Sequence, residues 1–186
     1  MKASIPGWVL FLALLAMVSP ARGADSDTLA AYGAPGVLQR EHRQIHQLVS
    51  AAAFEPGRVG HAARRLSALM GPHVAKEEAY ALPPLALLPQ LAGGDFYLEM
   101  REILPITDRL AAEMPILIVE HDEIVAAAEK LLEAARVEGR EDLVRMAEEV
   151  IRHAQLEEQI LYPAALLVGE VVEGRLGRIA WYPDSR

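Results

Sequence analysis

The sequence predicts an all-α fold, an up-and-down antiparallel four-helix bundle made of two similar halves. Ala and Leu are abundant and aromatic residues make up only 5% of the 186 residues, a composition that favours helices over sheets. No stretch of alternating β-branched residues is long enough to predict a strand. Two segments, HVAKEEAYALP from residue 73 and HAQLEEQILYP from residue 153, share one pattern at a distance of 80 residues. This repetition predicts an internal twofold pseudo-repeat.

Residues 1–23 have the layout of a cleavable signal peptide. Lys2 precedes an apolar run of eleven residues, 8–18, and small residues follow at Ala21 and Gly23. That run is far shorter than the roughly 20 residues that a membrane-spanning helix needs. We therefore expect cleavage after Ala21 or Gly23, export to the periplasm, and no stable membrane anchor after cleavage. An uncleaved anchor is the alternative.

The charge of the chain excludes some partners. The full sequence has 18 basic and 26 acidic residues, and cleavage after Gly23, which removes Lys2 and Arg22, gives the mature chain a net charge of 16 − 26 = −10. An acidic chain with no basic cluster argues against binding to nucleic acid or to anionic membranes. The sequence has no cysteine, so an oxidising compartment imposes no disulfide.

The predicted bundle covers residues 37–168 and follows a lead segment, residues 24–36. The first helix is predicted over about 37–53 and the second over about 58–81, where two prolines stop it. Each helix has an apolar stripe that also carries polar residues. The stripes comprise Leu38, His42, Ile45, Val49 and Ala52 in the first helix, and Leu66, Leu69, Met70, His73, Glu77 and Tyr80 in the second.

The second half begins after an inserted loop, predicted at about 84–97 from its proline and double glycine. The third helix begins between residues 96 and 107 and ends near 136, and the fourth runs over about 141–168. A C-terminal tail, 169–186, follows. The inward stripes comprise Leu117, His121, Ile124, Ala128 and Leu131 or Leu132 in the third helix, and Met146, Val150, His153, Glu157, Ile160 or Leu161, and Ala164 in the fourth.

Two of these stripes carry a histidine and a glutamate four residues apart, which places both side chains on one helical face. A lone buried carboxylate costs several kcal/mol unless it is paired. No Lys or Arg shares the stripes with Glu77 and Glu157. A cation inside the bundle is the simplest compensation, and a hydrogen-bonded polar core is the alternative.

The upstream histidines repeat as well, because REHRQIHQLV from Arg40 aligns with VEHDEIVAAA from Val119. This doubled H…HxxxE pattern, over about Leu38 to Val168, resembles that of the bacterial hemerythrin-like (HHE cation-binding) family. The resemblance implies a four-helix bundle that holds two non-haem iron ions joined by an oxo or hydroxo bridge. Zinc or manganese is an alternative, because imidazole and carboxylate ligands also bind them. The resemblance implies terminal ligands at His42, His73, His121 and His153, and bridging carboxylates at Glu77 and Glu157.

A further histidine, His46, lies four residues after His42 and within about 40° of it around the helix. Two octahedral irons offer about 12 coordination positions. With two bridging carboxylates and one oxygen bridge, five histidines leave one position open and four leave two. We expect His46 to be a fifth histidine ligand; a partly exposed histidine on the flank of the stripe is the alternative.

Four other glutamates and one tyrosine lie close to the predicted ligands. Glu78 and Glu158 lie about 100° around the helix from them, and we expect both to be solvated or paired with Arg. We expect surface charges at Glu41 and Glu120, with a hydrogen bond to an opposite histidine as the alternative. Tyr80 is expected to pack in the core rather than to donate to a bridging oxygen.

The leading functional hypothesis is an exported di-iron protein that binds dioxygen or a related small oxidant, for storage, delivery or scavenging. We expect a binding protein rather than an enzyme. One alternative is a di-iron enzyme that decomposes peroxide or reduces NO, and only a reductase would need an electron-donor protein. A metal-handling or sensing module is the other alternative.

Overall fold

The computed structural model describes residues 33–177. All regular structure in this range is helical, with no strand among these residues, so the predicted all-α class is confirmed. The predicted signal peptide, the first part of the lead segment and the last nine residues of the tail lie outside the described residues. No helix within the described range is both long and apolar enough to cross a bilayer.

Four long helices pack around the polar stripe residues. The α-helices are α1 (Gly36–Ala52), α2 (Gly57–Lys76), α3 (Leu88–Gly93), α4 (Leu104–Val137), α5 (Glu141–Leu156) and α6 (Tyr162–Leu176). Both α1 and α4 pack against α2 and against α5. The connections of α1 to α2 and of α4 to α5 are short. The connection of α1 to α2 packs closely against Gly60 of α2, because a Cβ at Gly60 would lie 1.6 Å from the carbonyl oxygen of Glu55.

In each half of the repeat a π-helical turn begins at the glutamate of the HxxxE pattern. The two turns are Glu77–Ala81 and Glu157–Leu161. In the first turn the amide of Leu82 donates to the carbonyl of Glu77, five residues earlier. This wider turn takes up one extra residue. The inward stripe of the second half therefore continues at Tyr162, which is fully buried, whereas Ile160 is 56% exposed. Of the two residues predicted for this position, Ile160 is therefore turned outward, whereas Leu161 is partly buried against the apolar cluster that contains Tyr162.

Two segments are more helical than the sequence predicts. The predicted loop at about 84–97 contains the 3₁₀ helix Pro83–Leu87 and the helix α3, and a second 3₁₀ helix, Leu98–Ile103, leads into α4. The last helix continues to Leu176 rather than ending near residue 168. Both extensions have the same cause, because they bury a common apolar cluster. That cluster comprises Leu87, Met100, Ile103, Leu104, Val168 and Val172.

Apolar side chains flank the polar stripe residues on both sides. On α4, His121 lies between Leu117, which belongs to one apolar cluster, and Ile124, which belongs to another. On α5 and α6, His153 lies in the same way between Val150 and Tyr162. The four histidines and two glutamates therefore occupy one layer of the core, with water-excluding side chains above and below it.

Candidate metal centre

Six polar side chains converge in this layer. Five of them, His42, His73, Glu77, His121 and Glu157, are at most 3% exposed, and the side chain of His153 is 9% exposed. The four histidines come one each from α1, α2, α4 and α5, and each glutamate is the first residue of a π turn. Within residues 33–177 no Lys or Arg forms an ion pair with either glutamate. Among these residues, only histidines lie close enough to Glu77 and Glu157 to balance their negative charge.

The six side chains form two overlapping groups of possible metal ligands. The α2/α4 site comprises His73, His121, Glu77 and Glu157, and the α1/α5 site comprises His42, His153 and Glu157. Within each group the ligand atoms lie within 4.8 Å of one another. The structure brings together all six residues that the doubled pattern predicts.

Both glutamates face histidines of both sites. Glu157 places Oε2 3.4 Å from Nε2 of His121 and Oε1 3.1 Å from Nε2 of His153. Glu77 places Oε1 3.2 Å from Nε2 of His73 and Oε2 3.6 Å from Nε2 of His42. Each carboxylate therefore spans the two sites with its two oxygens, as a carboxylate that bridges two cations must.

The electrostatics of the cluster favour positive charge between the glutamates. Burial opposes the charge of Glu157, yet contacts with His121, His153 and His42 hold its pKa well below the usual value. Burial also opposes protonation of His121, but Glu157 and Glu77 raise its pKa to about 10. In the metal-free protein, protons on histidines supply this positive charge. A bound cation would displace them.

The donor set fits a transition-metal ion. The buried Nε2 atoms of His73 and His153 lie 3.2 and 3.1 Å from Glu77 and Glu157 without hydrogen-bond geometry, and a buried nitrogen without a hydrogen bond costs free energy unless another group satisfies it. Imidazole nitrogens with carboxylate oxygens suit iron, zinc, manganese and copper. The two groups would hold two such ions, with Glu77 and Glu157 between them.

An outer glutamate approaches the second ring nitrogen of each histidine. Nδ1 of His73 forms a hydrogen bond with Glu120 at 3.0 Å, and Nδ1 of His121 forms one with Glu158 at 2.9 Å. Nδ1 of His42 and Nδ1 of His153 contact Glu78 and Glu41, each at 3.4 Å, without hydrogen-bond geometry. Glu78 and Glu158, expected to be solvated or paired with Arg, thus contact histidines instead, and Glu120 forms the hydrogen bond to an opposite histidine that was the alternative to a surface charge. Such contacts orient a ligating imidazole and raise its basicity.

A cavity of about 20 Å³ adjoins the six ligands, room for one water-sized molecule. Its walls repeat in pairs, since each residue of the first half has a counterpart 79 or 80 residues later. The pairs are His42 and His121, Ile45 and Ile124, Met70 and Val150, His73 and His153, Val74 and Ala154, and Glu77 and Glu157.

The model of the hemerythrin HHE cation-binding domain family matches residues 33–165, well over half of the chain. The chain belongs to this family. The match includes all six converging side chains, so this hemerythrin-like, cation-binding domain contains a buried His/Glu cluster that could hold a metal ion. No curated protein and no solved structure matches the chain.

One residue of this hemerythrin-like centre escaped the sequence analysis. The hydroxyl of Tyr162 donates a hydrogen bond to Oε1 of Glu77 and lies 3.3 Å from Nε2 of His121. Its ring stacks on His121, with centroids 5.6 Å apart. Tyr80, which was considered for this role, packs in the core as expected and donates to Glu113 at 2.8 Å. A tyrosine five residues after Glu157 becomes visible only when the π turn is known.

The structure places His46 outside this hemerythrin-like centre. Its side chain is exposed, and Nδ1 lies 3.4 Å from the hydroxyl of Ser50. The inward position next after His42 is taken by Ile45, which lines the cavity and is 4% exposed. The structure therefore does not bring His46 into either group of possible metal ligands. The helix turns the fourth residue after His42 outward.

Proposed function

We propose that this hemerythrin-like domain is an exported di-iron protein that binds dioxygen or a related small oxidant, for storage, delivery or scavenging. The single observation that supports it best is that each glutamate spans both ligand groups, at 3.1 to 3.6 Å from histidines on either side. This arrangement suits two cations that share ligands. The proposal includes an up-and-down antiparallel bundle with a twofold pseudo-repeat.

Iron is proposed because the centre combines four imidazoles with only two carboxylates, and imidazole-rich sites suit iron among other metals. When bound, iron would supply redox chemistry towards dioxygen. The chain's own contribution is positional. Histidines hold the ions from four helices, and the outer glutamates orient the imidazoles. The apolar walls that Ile45, Met70, Ile124 and Val150 give to the cavity exclude bulk water and admit only a very small molecule.

Peroxide decomposition is the second candidate function, and the position of His46 favours it. With four histidines, two bridging carboxylates and one oxygen bridge, two of about 12 coordination positions stay open. Peroxide dismutation needs no external electron donor. A reductase acting on NO would need an electron-donor protein.

Metal analysis with an optical spectrum of protein from its native compartment tests the proposal. We expect two irons per chain and a spectrum that changes reversibly when oxygen is added and removed. Rapid peroxide consumption without a reversible oxygen spectrum would favour the second candidate. Zinc alone at the centre would contradict both. N-terminal sequencing should find a mature chain that begins at Arg22 or Ala24, and an intact N-terminus would contradict export.

A further inference from the structure

A groove between α1 and α5 lies beside the metal centre. Its volume is about 640 Å³, and Glu41, Ile45 and Met146 are among its lining residues. Glu41 connects the groove to the α1/α5 site, because its Oε1 lies 3.4 Å from Nδ1 of His153. Ile45 lines both the groove and the 20 Å³ cavity. One layer of side chains thus separates this groove from the ligands.

The opposite seam is the interface between α2 and α4, and two ion pairs cross it. Lys76 pairs with Glu120, and Arg65 pairs with Glu123 at 3.7 Å. Lys76 therefore already neutralises the outer glutamate that supports His73. A cation that approaches the α2/α4 site along this seam meets an ammonium group first.

The counterparts of these four residues in the repeat cannot form the same ion pairs across the α1/α5 seam. In the repeat, Leu156 stands where the first half has Lys76, and Gln44 stands where the second half has Glu123. The other two counterparts, Glu41 and Arg145, are still charged, but Leu156 and Gln44 cannot form the corresponding ion pairs with them. Three of these, Glu41, Gln44 and Arg145, line the groove. The groove thus occupies the seam from which both ion pairs are missing.

Glu41 is the carboxylate of the groove that is available to a cation. The other two lining carboxylates are paired, Asp142 with Arg140 at 2.8 Å and Glu149 with Arg152. The side chain of Glu41 is 35% exposed and contacts His153. Two arginines, Arg40 and Arg145, also line the groove. Selection of a cation therefore rests on Glu41 at the inner end and not on the charge of the groove as a whole.

We propose that divalent cations enter and leave the centre through the α1/α5 groove, with Glu41 as the residue that captures them. The α1/α5 site then loads first and releases first, and the α2/α4 site exchanges slowly behind it. This inference rests on the proposed two-metal centre and adds to it the order of exchange.

Stopped-flow exchange with Co²⁺ alone tests the inference on the full mature chain. Wild-type protein loaded with Co²⁺ should release one equivalent rapidly and one slowly to excess EDTA. Glu41→Gln should slow uptake of the first equivalent about tenfold, the scale of an outer-residue effect at a metal site. The matched control, Glu149→Gln, removes a paired carboxylate of the same groove and should leave that step unchanged. If Glu41→Gln accelerates release without slowing uptake, Glu41 only positions His153 and the entry role is overturned.

Transplanting the ion pairs gives a second test that does not touch any ligand. Gln44→Glu combined with Leu156→Lys should fasten the α1/α5 seam and slow the fast phase several-fold. The reverse pair, Lys76→Leu with Glu123→Gln, should accelerate the slow phase instead. Two equivalents that leave together at one rate, unaffected by either transplant, would overturn the inference and leave the two-metal centre standing. Fewer than two equivalents in wild type would instead overturn the two-metal centre.

Discussion

The α2/α4 and α1/α5 sites have the same ligand chemistry and different surroundings. The two histidines of the α2/α4 site are hydrogen-bonded to outer glutamates at 3.0 and 2.9 Å, whereas the corresponding contacts at the α1/α5 site are 3.4 Å. Tyr162 donates to Glu77 near the first site, and its counterpart in the repeat is Leu82. The difference teaches that two sites with the same types of candidate ligand can have different supporting contacts.

The divergence has a physical consequence for each site. A hydrogen bond to Nδ1 fixes the orientation of an imidazole and raises the basicity of its other nitrogen. The α2/α4 site should therefore hold its cation in a defined geometry. The α1/α5 site, whose His153 is the most exposed of the four histidine side chains, should allow more rearrangement. Binding of an added small ligand is therefore expected at the α1/α5 site.

The largest effect should come from removing the ligand that both sites share. Glu157→Ala takes away the carboxylate that belongs to both groups, so we expect metal content to fall from two equivalents to near zero. Glu158→Ala is the matched control, because Glu158 contacts only the outer nitrogen of His121. It should keep both metals with about tenfold weaker binding of one. Two retained equivalents in Glu157→Ala would remove the basis for a shared carboxylate.

Replacing Tyr162 should affect one site only. Tyr162→Phe removes the donor to Glu77 and keeps the ring that stacks on His121. We expect about tenfold weaker binding of one metal equivalent, as for other second-layer residues, together with a shifted optical spectrum. Tyr80→Phe is the control, since Tyr80 donates to Glu113 instead. Equal metal affinities for both variants and wild type would show that Tyr162 only fills space.

The pH dependence of the metal-free protein should reflect the charge of the cluster. The raised pKa of His121, about 10 against the usual 6.5, contributes stability that is complete below pH 6.5 and is lost as the pH rises towards 10. The lowered pKa of Glu157 contributes stability above its usual value of 4.5, and this is lost in acid. The free energy of unfolding, measured by denaturant titration, should therefore be greatest between pH 4.5 and 6.5. His121→Gln should reduce the decline on the alkaline side, the rest of which comes from the raised pKa values of His42 and His153 beside Glu157, and an unchanged alkaline decline would contradict this assignment.

The ligands could be predicted from the sequence because they depend on spacing within single helices. A histidine and a glutamate four residues apart share a face whatever the rest of the fold does, and the repeat doubled that signal for His73, Glu77, His153 and Glu157. The class of the fold followed from composition for a similar reason. Both are local properties of the chain.

The remaining contacts depend on how the helices are placed against one another. Glu120 on α4 contacts His73 on α2, and Glu41 on α1 contacts His153 on α5. These contacts depend on how each helix is rotated about its axis relative to its neighbour, which the sequence of one helix does not determine. Tyr162 escaped because a π turn shifts the stripe by one residue. The wider turn leaves no sign in the 3.6-residue pattern on which the prediction relied.

The smallest effect should come from His46, the residue for which spacing predicted a ligand and the structure shows an exposed side chain. The hydroxyl of Ser50 lies 3.4 Å from Nδ1 of His46 on the same helix, so His46→Val removes a surface contact and changes stability by less than about 0.5 kcal/mol. Metal content, optical spectrum and oxygen-release rate should match those of wild type. Ile45→Val is the informative comparison, because the neighbouring Ile45 lines both the groove and the cavity. Trimming it should accelerate exchange at the α1/α5 site while His46→Val does not. A changed spectrum in His46→Val alone would mean that α1 rotates when metal binds and that the two sites differ in histidine number as well as in their surroundings.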